Sequence, residues 1–130
     1  MKLLTILLLL VLVVPVSAQK KNSGPPMGEN PLLQEWDGLY NGFPQLERVK
    51  VLHFKPALEA GMAENLFEID KIISNKEAAS FENTIAALER SGKMLERARA
   101  IYGIWSSSMN DPEFQIVESE MEPRLAAFDP

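Results

Sequence analysis

His53 is the single histidine of this 130-residue chain, which has no cysteine. That inventory limits metal chemistry at once. A zinc site of the H-E-x-x-H kind needs two imidazoles four residues apart on one helix face and a carboxylate between them to activate water. A histidine- or cysteine-based zinc site therefore cannot be completed within these residues. His53 stands where a helix should begin and reads as a capping or surface group, not as a ligand or base. The consecutive Ser106, Ser107 and Ser108 have no G-x-S-x-G elbow and no placed base, so they read as residues that ease a helix exit. Asp111, Glu113, Glu118, Glu120 and Glu122 form an acidic end that could take a divalent cation. Spacing by two spreads the three later glutamates around a helix, no EF-hand pattern is present, and a solvated face is the better account. No glycine-rich phosphate loop follows a strand. The expectation is no catalytic, cofactor-binding or metal-binding residue in this chain.

The elements that would position those residues are helical. Ser80 to Gly92 reads SFENTIAALERSG: Ser80 can accept backbone N–H bonds as an N-cap, Glu82 puts negative charge in the first turn, and Asn83 sits at the third helical position. Apolar residues follow at Phe81, Ile85, Leu88, Leu95, Ala98, Ile101, Tyr102, Trp105 and Met109, steps that keep them on one side of a helix, with Glu89, Arg90, Lys93, Glu96, Arg97 and Arg99 opposite. Gly92 and Gly103 lie eleven residues apart, close to three turns, and would project onto nearly one face and admit a neighbouring backbone. The other reading of Gly92 is a break in the helix.

An earlier helix runs from His53 to about Ser74 on the stripe Phe54, Leu58, Met62, Leu66, Ile69, Ile72 and Ile73, with Pro56 tolerated in its first turn. A short loop at 75–79 makes it and its successor an antiparallel pair. Asp111 caps a third helix opened by Pro112, with Phe114, Val117, Met121 and Leu125 as its stripe; Pro123 should kink or restart it. The brief alternation of Val49 and Val51 is a connector. Between Asn30 and Pro44, Leu32, Leu33, Trp36, Tyr40 and Phe43 alternate with glycine and proline, which reads as irregular chain whose aromatics pack onto the domain; Trp36 lining a ligand surface is the alternative. The fold class is all-α, built of antiparallel helical hairpins.

The ends carry different signals. Met1 and Lys2 precede an apolar run from Leu3 to Val16 that finishes in the small residues Ser17 and Ala18, the pattern of a secretory signal peptide cut after Ala18. The run is shorter than the roughly 20 residues a membrane helix needs, so no stable membrane association is expected after cleavage. Residues 19–29 read as a flexible tether and 30–130 as the helical region. With 13 basic against 18 acidic residues, a net charge of −5, and no basic stripe, nucleic acid is not an expected partner. An exported chain without cysteine relies on buried helix faces and not on disulfides, which fits a bacterial periplasm or secretion.

Taken in order, Asn30-Pro31-Leu32-Leu33 with Trp36, His53-Phe54-Lys55-Pro56-Ala57, the phrase FENTIAALERSG, Ser106 to Asn110 and Glu122-Pro123-Arg124-Leu125-Ala126 resemble the N-terminal region of thimet-oligopeptidase-like zinc metallopeptidases. The nearest likeness is to bacterial dipeptidyl carboxypeptidases (peptidyl-dipeptidases) and oligopeptidase A. The resemblance implies a largely helical enzyme several times longer, with zinc held by an H-E-x-x-H motif far downstream, acting on oligopeptides. It implies that residues 30–130 wall one side of a channel for short unstructured peptides, and that this chain is an inactive fragment binding no zinc itself. A free-standing secreted helical interaction module without catalysis is the alternative.

Overall fold

Side-chain caps start two of the helical segments. The Ser80 hydroxyl accepts the Asn83 N–H at 3.1 Å while Asn83 Oδ1 accepts the Ser80 N–H at 2.8 Å, a reciprocal box with asparagine in the place usually held by glutamate or glutamine. Asp111 Oδ1 accepts the Phe114 N–H at 2.8 Å in the same way. The computed structural model describes residues 30–36, 42 and 44–128. Among them are helices α1 (Phe54–Ile73), α2 (Ala87–Arg90), α3 (Lys93–Ser108) and α4 (Pro112–Phe128), and no strand. The all-α class expected from the periodicity is the class found.

α1 and α3 run antiparallel, and α4 reverses again to lie antiparallel to α3. The cross-links fix this sense: Phe54 of α1 meets Tyr102 and Trp105 of α3, while Gly61 meets Leu95 and Glu68 reaches Gly92. Between α3 and α4, Tyr102 bonds Glu122 and Ser106 bonds Glu118. Lys55 pairs with Glu120 and Glu59 with Arg124, which aligns α4 with α1. Those pairs are exposed, so solvent screening leaves them little weight in stability. The core is aromatic at its centre: the fully buried Phe54 ring lies 5.3 Å from Trp105 and 5.1 Å from Phe114, and Phe114 lies 5.2 Å from Tyr102. Tilted and edge-on pairs of this kind add about 0.5–1.5 kcal/mol each beyond the area they bury.

Leu32 and Val49 are buried in the same core, and Leu33, Trp36 and Val51 pack against it. Trp36 thus takes the packing role and not the ligand-lining one. The segment holding Val49 and Val51 is a connector with two 3₁₀ turns, Leu46–Arg48 and Val51–His53.

Three details differ from the sequence pattern. Residues 81–109 are not one helix: Phe81–Ala86 is a π-helical turn, α2 ends at Arg90, and Gly92 adopts the left-handed conformation at φ 73° before α3 begins. A π turn advances each residue by a smaller angle than an α turn, and the left-handed residue resets the phase, so a stripe drawn at constant pitch does not stay on one face. Phe81, Ile85 and Leu88 are accordingly exposed, and Met109 is exposed because α3 ends at Ser108. Second, the two glycines do not share a role. Gly92 is both a helix break and a close contact, since a Cβ there would lie 2.4 Å from Asn65 Nδ2, whereas a Cβ on Gly103 would meet nothing within 4 Å. Third, α4 continues through Pro123 to Phe128 without restarting. The signal peptide at 1–18, the tether at 19–29, and Tyr40 and Phe43 lie outside the described residues.

Candidate functional site

Among the described residues, two segments expose large apolar side chains. On the second half of α1, Leu66, Phe67 and Ile73 are exposed at 58%, 53% and 77%; on the arm from the π turn to α2, Phe81, Ile85 and Leu88 are exposed at 73%, 48% and 54%. Two of these, Leu66 and Leu88, line a groove of about 550 Å³ together with Ile69, Leu95 and Phe128. Scattered apolar residues are ordinary on a protein surface, and the apolar-lined groove is the candidate docking place. Lys71 lies over the Phe67 ring at 4.2 Å, which shields that face of the ring from its own helix. In the second half of the α1 stripe Leu66 and Ile73 are exposed, while Ile69 and Ile72 are partly buried.

The turn that carries the lone histidine is built differently. His53 is only 8% exposed, its Nδ1 accepts the Lys50 N–H at 3.0 Å, and its carbonyl accepts Asn30 Nδ2 at 2.9 Å. It caps, as expected, but it is not on the surface, because Asn30 and the following residues cover it. Burial lowers its pKa below the usual value of 6.5, and the positive charges of Lys50 and Arg48 lower it further. With Nδ1 accepting a bond, the ring is neutral and carries its proton on Nε2.

The serine and glutamate clusters meet each other. Ser106 Oγ donates to Glu118 Oε1, Asn110 Nδ2 donates to Glu118 Oε2 at 2.8 Å, and Ser107 Oγ returns to the Ile104 carbonyl at 3.1 Å. Glu118 thereby ties down the turn between α3 and α4, which gives Ser106 a structural partner that sequence reasoning did not supply. Glu122 accepts the Tyr102 hydroxyl at 2.9 Å, and burial followed by this bond pushes the tyrosine pKa up. Glu120 is held by Lys55. Of the acidic end, each of these glutamates points to a different partner.

A catalytic metal does not fit what is present. Among the described residues no group of three His, Cys, Asp or Glu is placed to hold one, and the His53 Nδ1 lone pair is already engaged. Two residues escaped sequence reasoning. Asn30, 1% exposed, folds its side chain both onto His53 and back to the Leu32 N–H; an Asn-Pro pair opening an apolar run was its signal. Gly61 is the close-approach glycine: a Cβ there would sit 2.8 Å from Leu95 Cα. Its place three residues after Leu58 and just before Met62, inside the buried stripe, was the sign to read.

Fold and surface together define an all-α helical unit with exposed large apolar side chains and an apolar-lined groove. The comparisons add a relationship. Over 102 residues the chain is 32% identical to a dipeptidyl carboxypeptidase of Salmonella typhimurium, a stretch that covers 78% of this chain and 15% of that protein. Over 83 residues it is 30% identical to a dipeptidyl carboxypeptidase of Escherichia coli, covering 64% of this chain and 12% of the relative. The chain thus spans a small part of the length of the curated relatives it matches, and the two likenesses support a link to a peptidase family. No protein-family profile and no solved structure matches it.

Proposed function

We propose that these residues are the N-terminal helical part of a longer, exported zinc metallopeptidase of the thimet-oligopeptidase-like kind, which hydrolyses oligopeptides and removes C-terminal dipeptides from them. The exposed large apolar side chains carry this reading. Fully burying a side chain such as Leu, Ile or Phe is worth about 1.5–3 kcal/mol, so six of them left about half or more in water fit a unit whose neighbouring helices come from elsewhere in a larger enzyme. The similarity to two dipeptidyl carboxypeptidases, confined to 15% and 12% of their lengths, supports it. In this reading the zinc and its ligands belong to the remainder of the enzyme, and the present segment walls one side of the peptide channel. By itself it hydrolyses nothing.

Sequencing the gene past codon 130 tests the reading. An in-frame continuation to an H-E-x-x-H motif is expected. A stop codon there, with a monomeric product that unfolds cooperatively, overturns the fragment reading in favour of a secreted interaction module that uses the 550 Å³ groove for a partner. Chelator-sensitive peptide hydrolysis by the purified chain would defeat the claim that the segment is inactive.

A further inference from the structure

The first described residues are held to the helices by apolar packing and by a bond from Asn30 to the turn that ends in His53. Asn30 Nδ2 donates to the His53 carbonyl at 2.9 Å, Asn30 Oδ1 accepts the Leu32 N–H at 3.0 Å, and the Asn30 carbonyl accepts the Leu33 N–H at 3.1 Å. This sets Leu32 into the core at 2% exposure, with Leu33 and Trp36 packed beside it. The His53 carbonyl is held in place by the 3₁₀ turn Val51–His53, whose closing bonds are His53 N–H to the Lys50 carbonyl at 2.9 Å and Lys50 N–H to His53 Nδ1 at 3.0 Å. One of those two closures exists only while the ring is neutral.

We propose that His53 is a pH-operated latch: a proton added at Nδ1 sets two donors, Nδ1–H and Lys50 N–H, against each other, loosens the Val51–His53 turn, and frees the Asn30–Trp36 segment from the core. Burying an unmatched donor pair costs the bond and the desolvation of both groups. Among the described residues the surroundings offer the imidazolium little compensation: Glu47 is exposed and Glu59 is held by Arg124. Lys50 and Arg48, the charges that act on the ring, are both positive. On α4, which packs against the turn, Glu120 is held by Lys55, Glu118 by Ser106 and Asn110, and Glu122 by Tyr102, while Glu113 is exposed. Glu35 of the N-terminal segment is exposed as well, and Asn30 is an uncharged amide. On α1, Lys55 is a further cation.

The chain contains its own control. At Ser80–Asn83 the same reciprocal position is filled by asparagine, which accepts the Ser80 N–H at 2.8 Å and does not titrate. His53→Asn therefore keeps an acceptor for the Lys50 N–H and removes the proton switch.

The test follows amide and ring signals of the whole chain by NMR as pH is lowered from neutral. The His53 ring, the Asn30 side-chain amide and the Lys50 and Leu32 N–H groups are expected to move with one midpoint, while the Asn83 N–H in the Ser80 cap, beyond the opposite end of α1, stays put. The opening constant taken from the Leu32 protection factor should rise by up to about tenfold per pH unit, the limit for an opening linked to one proton, as pH falls from the free-imidazole range toward that midpoint, and level off below it. In the His53→Asn variant the Leu32 protection factor should be independent of pH over the same range. The latch is overturned if the ring titrates while Asn30 and Leu32 stay fixed, or if all signals including Asn83 are lost together. These outcomes are read on the wild-type chain, so they stand even where the variant does not fold, and they are independent of any peptidase activity.

Discussion

Replacing Gly61 by alanine should destabilise the chain even though alanine is the better helix former. In an exposed helix interior that exchange gains about 1 kcal/mol. Here the added methyl would lie 2.8 Å from Leu95 Cα, 3.0 Å from Leu95 N and 3.1 Å from Leu95 Cβ. The first two are backbone atoms of α3, which no rotamer change can move aside. Helix α3 must retreat from α1, and with it the fit of Leu95 and Ala98 against Leu58 and Met62. Overpacking of this kind costs roughly 1–3 kcal/mol, and backbone atoms place it in the upper half of that range, so the net loss is about 1–2 kcal/mol. For a domain of this size that lowers Tm by roughly 5–15 °C. Gly103 supplies the opposite case: a methyl there meets nothing within 4 Å, so Gly103→Ala should stabilise by about 0.5–1 kcal/mol through helix propensity alone. Thermal and urea unfolding followed by far-UV circular dichroism measure both. A Gly61→Ala chain as stable as wild type, or a Gly103→Ala chain that loses stability, would refute the assignment of the helix crossing to Gly61.

Three further outcomes follow from the same contacts. Ser80→Ala removes the acceptor for the Asn83 N–H and should cost about 1 kcal/mol, with amide exchange rising first at Asn83 and Thr84. Because the fold lowers the His53 pKa from 6.5, the unfolded chain binds a proton at mildly acid pH that the folded chain does not. Stability should be complete above pH 6.5, fall as pH drops through the lower folded value, and lose that dependence in His53→Asn, as denaturation at a series of pH values will show. Phe81→Ser and Leu88→Ser should each change stability by no more than about 0.5 kcal/mol, since both side chains are largely exposed; a loss of several kcal/mol at either would mean that the face is already covered.

Much of the architecture was legible because it is local. Pro112 after Asp111, Ser80 ahead of Asn83 and the steps of three and four from Phe54 to Met62 each report a cap or a face through neighbouring residues, and the structure realises all three. The candidate site was half legible. The stripe through Leu66, Ile73, Phe81 and Leu88 could be seen in the sequence, but whether a stripe is buried depends on a partner surface that periodicity does not contain. Likewise Ser106 and Glu118 stand twelve residues apart, and nothing in either position announces that the turn between α3 and α4 brings them into contact.

By itself the sequence determined the helical class, the helix starts, the acidic balance and the absence of a paired-histidine motif, since composition, caps and apolar spacing are properties of the chain read residue by residue. Tertiary structure decided which glycine lets two helices touch, where the π turn and the left-handed Gly92 shift the stripe out of phase, which apolar side chains stay exposed, and that the single histidine is buried beneath Asn30. These depend on the distance between segments far apart in the chain, and that distance is set only when whole faces pack together.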